Sequence, residues 1–188
     1  MVKPGSGARE KILDAAAEIV REAGAASMSL DAVAARAGVS KGGLLYHFSS
    51  KSKLFEALVE SFVSEDYAKF QMRKQMHGVN ANGVVRAYID LFVEERKESR
   101  PPPSGLLAAL AENPDFLKPV QKYQREVLDE MKAGASDPSL AVIALLVVHG
   151  VRAMELLSID VVDEKEEADM LKRLQELLAA QAGAGYRA

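Results

Sequence analysis

A chain of 188 residues, 48% hydrophobic and 27% charged, is long enough for one or two domains with a sizeable core, and its lack of cysteine excludes disulfide frameworks and thiolate metal sites. The net charge of −3 conceals an asymmetry: the first 53 residues hold eight Lys or Arg against five Asp or Glu, the rest sixteen against twenty-two. A basic end on an acidic body turns toward phosphate and keeps the body off nucleic acid.

In chain order the periodicity is almost wholly helical. A first helix from Ala8 to Ala23 places Ile12, Leu13, Ala16, Ile19 and Val20 on one face, and Gly24 stops it. Charged residues at 9, 10, 11, 14 and 18 leave no apolar secretory segment there. Ser29 is the predicted N-cap of a short second helix carrying Leu30, Val33, Ala34 and Ala37 inward. Gly38 suits the left-handed backbone that ends such a helix, Val39 plugs the core below the turn, and Ser40 caps a third helix from Lys41 to Phe48. Two crossed helices joined by a three-residue turn can set the second of them into a major groove. Residues 41–48 are therefore the candidate reader of DNA.

A fourth helix follows Ser49-Ser50 and runs to about Met76, with Leu54, Phe55, Leu58, Phe62, Tyr67 and Phe70 inward, until His77-Gly78 breaks it. A fifth spans about Asn82 to Glu98, and Pro101-Pro102-Pro103 forbids its continuation. A short helix over Ser104 to Ala111 is expected next, then one from Asp115 to Lys132, with Pro119 in its first turns or at a kink. Asp137-Pro138 opens a helix whose stretch Leu140 to Val148 is apolar on every side. The pattern predicts burial on all sides, and nine apolar residues are too few to span a bilayer. A last helix, Asp163 to Ala182, carries Met170, Leu171, Leu174, Leu177 and Leu178 in a stripe, with acidic residues at its dipole-positive start. The expectation is a soluble, cytoplasmic, all-α protein of about nine helices.

Gly38-Val39-Ser40, Leu44, Tyr46-His47-Phe48, Lys51, Leu54 and Phe55 together resemble the DNA-binding domain of TetR-type transcriptional repressors, over roughly residues 8 to 60. The resemblance implies a three-helix helix-turn-helix domain at 1–53. Residues 54–188 would form a helical ligand-binding and dimerisation domain, with the fourth helix bridging the two. It also implies DNA contacts from Ser29, Ser40, Lys41, Gly42, Gly43, Leu45, Tyr46, His47 and Lys51, with Tyr46 and Lys51 holding phosphates and so setting register without reading sequence. The chain departs from many relatives in having Leu45 where a second aromatic precedes the histidine. Gly42 and Gly43 admit close backbone approach but remove readers, so operator choice is expected to rest on few direct contacts plus groove shape.

The resemblance further implies a homodimer through about 137–160 and 163–182 on a palindromic operator of double-stranded DNA. It also implies a small-molecule effector, with Phe62, Phe70, Tyr88, Phe92, Phe116, Tyr123, His149 and Arg152 as candidate contacts and no cofactor. The three histidines lie in separate elements and lack metal-ligand spacing. His149, Arg152 and Glu155, at spacings of three, read as a buried polar cluster or an interface network. Two alternatives stand beside the ligand-released repressor. One is a DNA-binding regulator controlled by a protein partner, or an activator; the other is a helical enzyme built on His149.

Overall fold

The computed structural model describes residues 7–24, 27–78, 80–97, 114–159 and 161–184. Every regular element among them is helical: α1 (Ala8–Ala23), α2 (Leu30–Ala37), α3 (Lys41–His47), α4 (Lys51–His77), α5 (Gly83–Lys97), a 3-10 turn (Pro114–Leu117), α6 (Lys118–Gly134), α7 (Pro138–Leu157) and α8 (Glu164–Ala184). The short helix expected over 104–111 and the proline run before it lie outside the described residues. The chain divides into two compact units, one of residues 1–65 with 103–121 and the other of 66–102 with 122–188.

The first unit is built around Ile12, Ala16, Val33, Leu44, Leu54 and Leu58, all essentially inaccessible to solvent. Each such Leu, Ile or Val contributes roughly 1.5–3 kcal/mol by leaving water. The chain reversals follow from backbone chemistry. Gly24 and Gly38 end α1 and α2 at φ 78° and 67°, where a Cβ would be strained. Ser29 accepts a hydrogen bond from the Ala32 N–H at 3.1 Å, and Ser40 accepts one from the Gly43 N–H at 3.0 Å. Val39 packs partly buried against the core. Arg36 on α2 bonds Glu22 at 2.9 Å and Glu18 at 3.4 Å on α1, pinning the angle between those helices.

In the second unit α5 packs on both α7 and α8. Asn82, the one buried polar residue among those described, stands at φ 65° just before α5. Its side chain donates to the Leu178 carbonyl at 2.9 Å and accepts from the Ser136 N–H at 2.8 Å. Glu130 accepts from Tyr67 and Gln71 at 2.9 Å and from Lys74 at 2.5 Å. Burial pushes the Glu130 carboxyl up, but these donors outweigh it and hold the group below its ordinary value. Pro119 is the second residue of α6, where its missing N–H leaves no bond unmade.

Two sequence expectations about α7 are revised. Ala141, Ala144, Val148 and Val151 are buried, but Ile143, Leu146, Gly150, Ala153 and Leu157 are exposed, so only one face is covered within the chain. The helix also extends well beyond the nine-residue apolar stretch, and its first 18 residues are long and apolar enough, by length and composition, to cross a membrane. Its charged residues nevertheless pair inside the unit: Arg152 bonds Glu95 at 2.6 Å and Glu155 bonds Arg96 at 2.9 Å. The polar residues His149, Arg152 and Glu155 on the same helix are satisfied from other helices. His149 bonds Gln124 at 3.2 Å, so each of the three finds its partner on another helix.

Candidate nucleic-acid interface and interior polar cluster

Helix α3 has seven residues, about 10 Å at 1.5 Å per residue, short enough to lie across a major groove. Leu44 is fully buried, and Phe48, immediately after the helix, is nearly so. Those two anchors fix which face turns outward. Lys41, Gly42, Leu45, Tyr46 and His47 are exposed; Tyr46, at 85% exposure, stands free of the core and meets His47 edge to face at 5.2 Å. Ser40 is exposed at the start of α3, and Ser29 and Lys51 at the starts of α2 and α4, while Gly43 is half-buried.

The glycines differ in kind. A Cβ at Gly42 would meet nothing within 4 Å, whereas one at Gly43 would lie 3.2 Å from the Ser40 Oγ that caps the helix. Gly43 therefore serves the cap, and Gly42 leaves the front of the helix bare. Three residues absent from the sequence expectation also belong to this surface. Asp31 on α2 holds the Lys41 ammonium at 3.0 Å, although both side chains are largely exposed. Arg9 lies 5.3 Å over the Phe48 ring, and with Lys53 it borders an open recess beside His47 and Ser49. Asp31 and Lys41 stand ten positions apart across the turn, so no helical spacing announces the pair.

The residues expected to contact an effector do not all gather. Phe116 packs on Phe55 at 4.9 Å in the core of the first unit, and Phe62 packs against that same core. Phe70, Tyr88, Phe92, Tyr123, His149 and Arg152 belong to the second unit. There Phe70 meets Tyr88 edge-on at 6.4 Å, and Tyr123 meets Tyr67 at 5.9 Å. The Arg152 guanidinium, bonded to Glu95, lies 5.4 Å over Phe92. His149 is held below its ordinary value by burial and then by Arg152, both of which favour the neutral ring.

Comparison with known proteins places both regions. Residues 12–58 match the family described as bacterial regulatory proteins, tetR family, and residues 82–179 match the tetracyclin repressor-like C-terminal domain. The uncharacterized HTH-type transcriptional regulator YvdT of Bacillus subtilis (strain 168) is 35% identical over 95 residues, 50% of this chain and 46% of that protein. The HTH-type regulator SrpR of Pseudomonas putida is 36% identical over 53 residues, 28% of this chain and 25% of that one. The aligned stretches thus span less than half the length of these curated relatives. Among solved structures, SCO1917, a TetR family member from Streptomyces coelicolor A3, superposes with a TM-score of 0.66 at 25% identity, covering 90% of this chain and 98% of that one. SCO4454, from Streptomyces coelicolor, gives 0.71 at 24% identity, over 93% and 96%.

Proposed function

The chain belongs to the TetR family of helix-turn-helix transcriptional regulators, and from that premise we propose that it is a dimeric repressor released from a palindromic operator by a small molecule. The family is one of DNA-binding regulators rather than enzymes, and the enzymatic alternative falls with it. The observation that carries the DNA-binding half is α3 itself: Leu44 and Phe48 hold it from below while Lys41, Leu45, Tyr46 and His47 are exposed. Ser29, Ser40, Gly42, Gly43 and Lys51 complete the proposed contact set.

The dimeric half rests on α7. Its exposed residues Ile143, Leu146, Gly150, Ala153 and Leu157 recur at alternating spacings of three and four, the pattern of a helix that seats against another helix. A two-fold pair would carry two copies of α3 to successive major grooves, about 34–36 Å apart. Helix α4 follows α3 after three residues and runs to His77. Coupling of the usual size would weaken operator binding about 5- to 150-fold.

Selection of bound DNA from a random pool is expected to enrich an inverted repeat, and a compound screen on that repeat to find a releasing molecule. Failure to enrich any sequence would remove the repressor reading. Lys41→Ala is expected to weaken the selected site about 5- to 150-fold at fixed salt if Lys41 reads a base. If it touches phosphate instead, the log–log salt slope falls by about one. Asp31→Asn frees Lys41 and removes a carboxylate from the DNA-facing surface, so it is expected to tighten binding a few-fold and steepen the salt dependence. Unchanged affinity and slope in both variants would mean that α3 is not the reader.

A further inference from the structure

Tyr88 on α5 is 4% exposed, and its hydroxyl has no hydrogen-bond partner among the described residues. Interiors rarely leave such a group unsatisfied, because its bonds to water are lost and nothing replaces them. Burial pushes its pKa up to about 12, so at neutral pH it remains a donor that lacks an acceptor.

The surroundings are of mixed character and lie within one compact unit. Tyr88, Phe92 and Glu95 stand at i, i+4 and i+7 and so share a face of α5. Phe70 of α4 meets the Tyr88 ring edge-on. Arg152 of α7 covers Phe92 and bonds Glu95; this pair is partly exposed, at 38% and 28% of the side chains, so the cluster reaches toward solvent there. Tyr123 of α6 is buried, and burial raises its pKa strongly, so it too stays a phenol. His149, one turn before Arg152, is bonded to Gln124, and burial lowers its pKa.

We propose that this cluster is the polar end of the effector site and takes an uncharged molecule with a carbonyl-type acceptor on an apolar or aromatic frame, the acceptor bonding the Tyr88 hydroxyl. The assignment rests on the reading of the chain as a ligand-responsive regulator. Charge balance selects the class. Arg152 is already matched by Glu95, so a carboxylate bound beside it would compete with an existing ion pair, and a cation there would meet a carboxylate already engaged. Tyr88 stays protonated and offers a donor, and the rings of Phe70, Phe92 and Tyr123 are its apolar neighbours in this unit.

The test uses the full chain and matched probes of rising size: cyclohexanone against methylenecyclohexane, acetophenone against isopropenylbenzene, and acetylnaphthalene against isopropenylnaphthalene, with naphthoate as the charged arm. In calorimetric titration at least one ketone is expected to bind about ten- to hundredfold tighter than its hydrocarbon twin and tighter than naphthoate. Tyr88→Phe should bring the twins within about threefold of each other while melting no lower than the parent, since it removes an unsatisfied group. Equal binding of the twins by the parent protein overturns the proposal, as do a preference that survives Tyr88→Phe, tightest binding by naphthoate, or no binding by any probe. A marked drop in the melting temperature of Tyr88→Phe does so as well, because the hydroxyl would then have a structural partner. Operator release is measured alongside: a ketone that binds through Tyr88 without releasing DNA sinks the ligand-responsive reading and leaves the site, whereas release by twins alike in both proteins does the reverse.

Discussion

Leu146→Glu is expected to yield a folded monomer whose operator affinity is lower by about 10²–10⁴, the factor that a second linked binding event supplies. Leu146 is 63% exposed within its own chain, so the substitution removes little internal packing. Exposed changes of that kind usually alter stability by no more than about 0.5 kcal/mol. In a two-fold pair the same face meets itself, so a glutamate there would be buried twice over, near its own copy and without a partner. Sedimentation velocity should show the mass halved and circular dichroism the helix content kept. Gly150→Ala is a sharper companion. A Cβ at Gly150 meets nothing within 4 Å in the chain, and replacing a mid-helix glycine favours the helix by about 0.8–1 kcal/mol. A monomer made more stable but a dimer made weaker would place a partner helix close against that glycine. If both variants dimerise as tightly as the parent, α7 is not the pairing face.

Helix α7 also shows where sequence reading stops. Periodicity reports that its residues shun water on two faces, but not whose atoms cover each face. The stretch Leu140 to Val148 therefore suggested burial on every side, whereas within the chain Ile143 and Leu146 are exposed and the stripe through Ala144 and Val148 is covered. The helix-turn-helix was legible nearly residue by residue because its determinants are local. Ser29, Gly38 and Ser40 act on backbone groups within three or four positions, and each stands where its chemistry requires. Ion pairs made across helices carry no such signature. His149, Arg152 and Glu155 look like a cluster by spacing, yet they engage Gln124, Glu95 and Arg96. Aromatic residues are ambiguous for the same reason: Phe116 and Phe70 are equally apolar in sequence, but one packs on Phe55 and the other on Tyr88.

Asn82 is the extreme case, a polar residue expected at the start of the fifth helix whose partners lie 54 and 96 positions away. Asn82→Ala is expected to destabilise the chain by about 3 kcal/mol, from three costs that add. The buried Leu178 carbonyl loses its side-chain partner, at about 1–3 kcal/mol, and the Ser136 N–H, on a solvent-exposed residue, loses its own at less. Alanine must also hold φ 65°, a left-handed conformation that asparagine tolerates better. Water can offset part of the first cost only if it reaches a residue that is 0% exposed. Asn82→Gly separates the terms, since it relieves the backbone while deleting the same bonds, and should recover about 1 kcal/mol of the loss. For a chain of this size a 3 kcal/mol loss lowers the melting temperature by about 6–12 °C. Because the lost bonds join the start of α5 to the turn before α7 and to α8, hydrogen exchange should rise first at the Ser136 and Gly83 amides, with α1 to α3 keeping their protection. A variant that melts within a degree or two of the parent would mean that Asn82 fills space at this junction without holding it together.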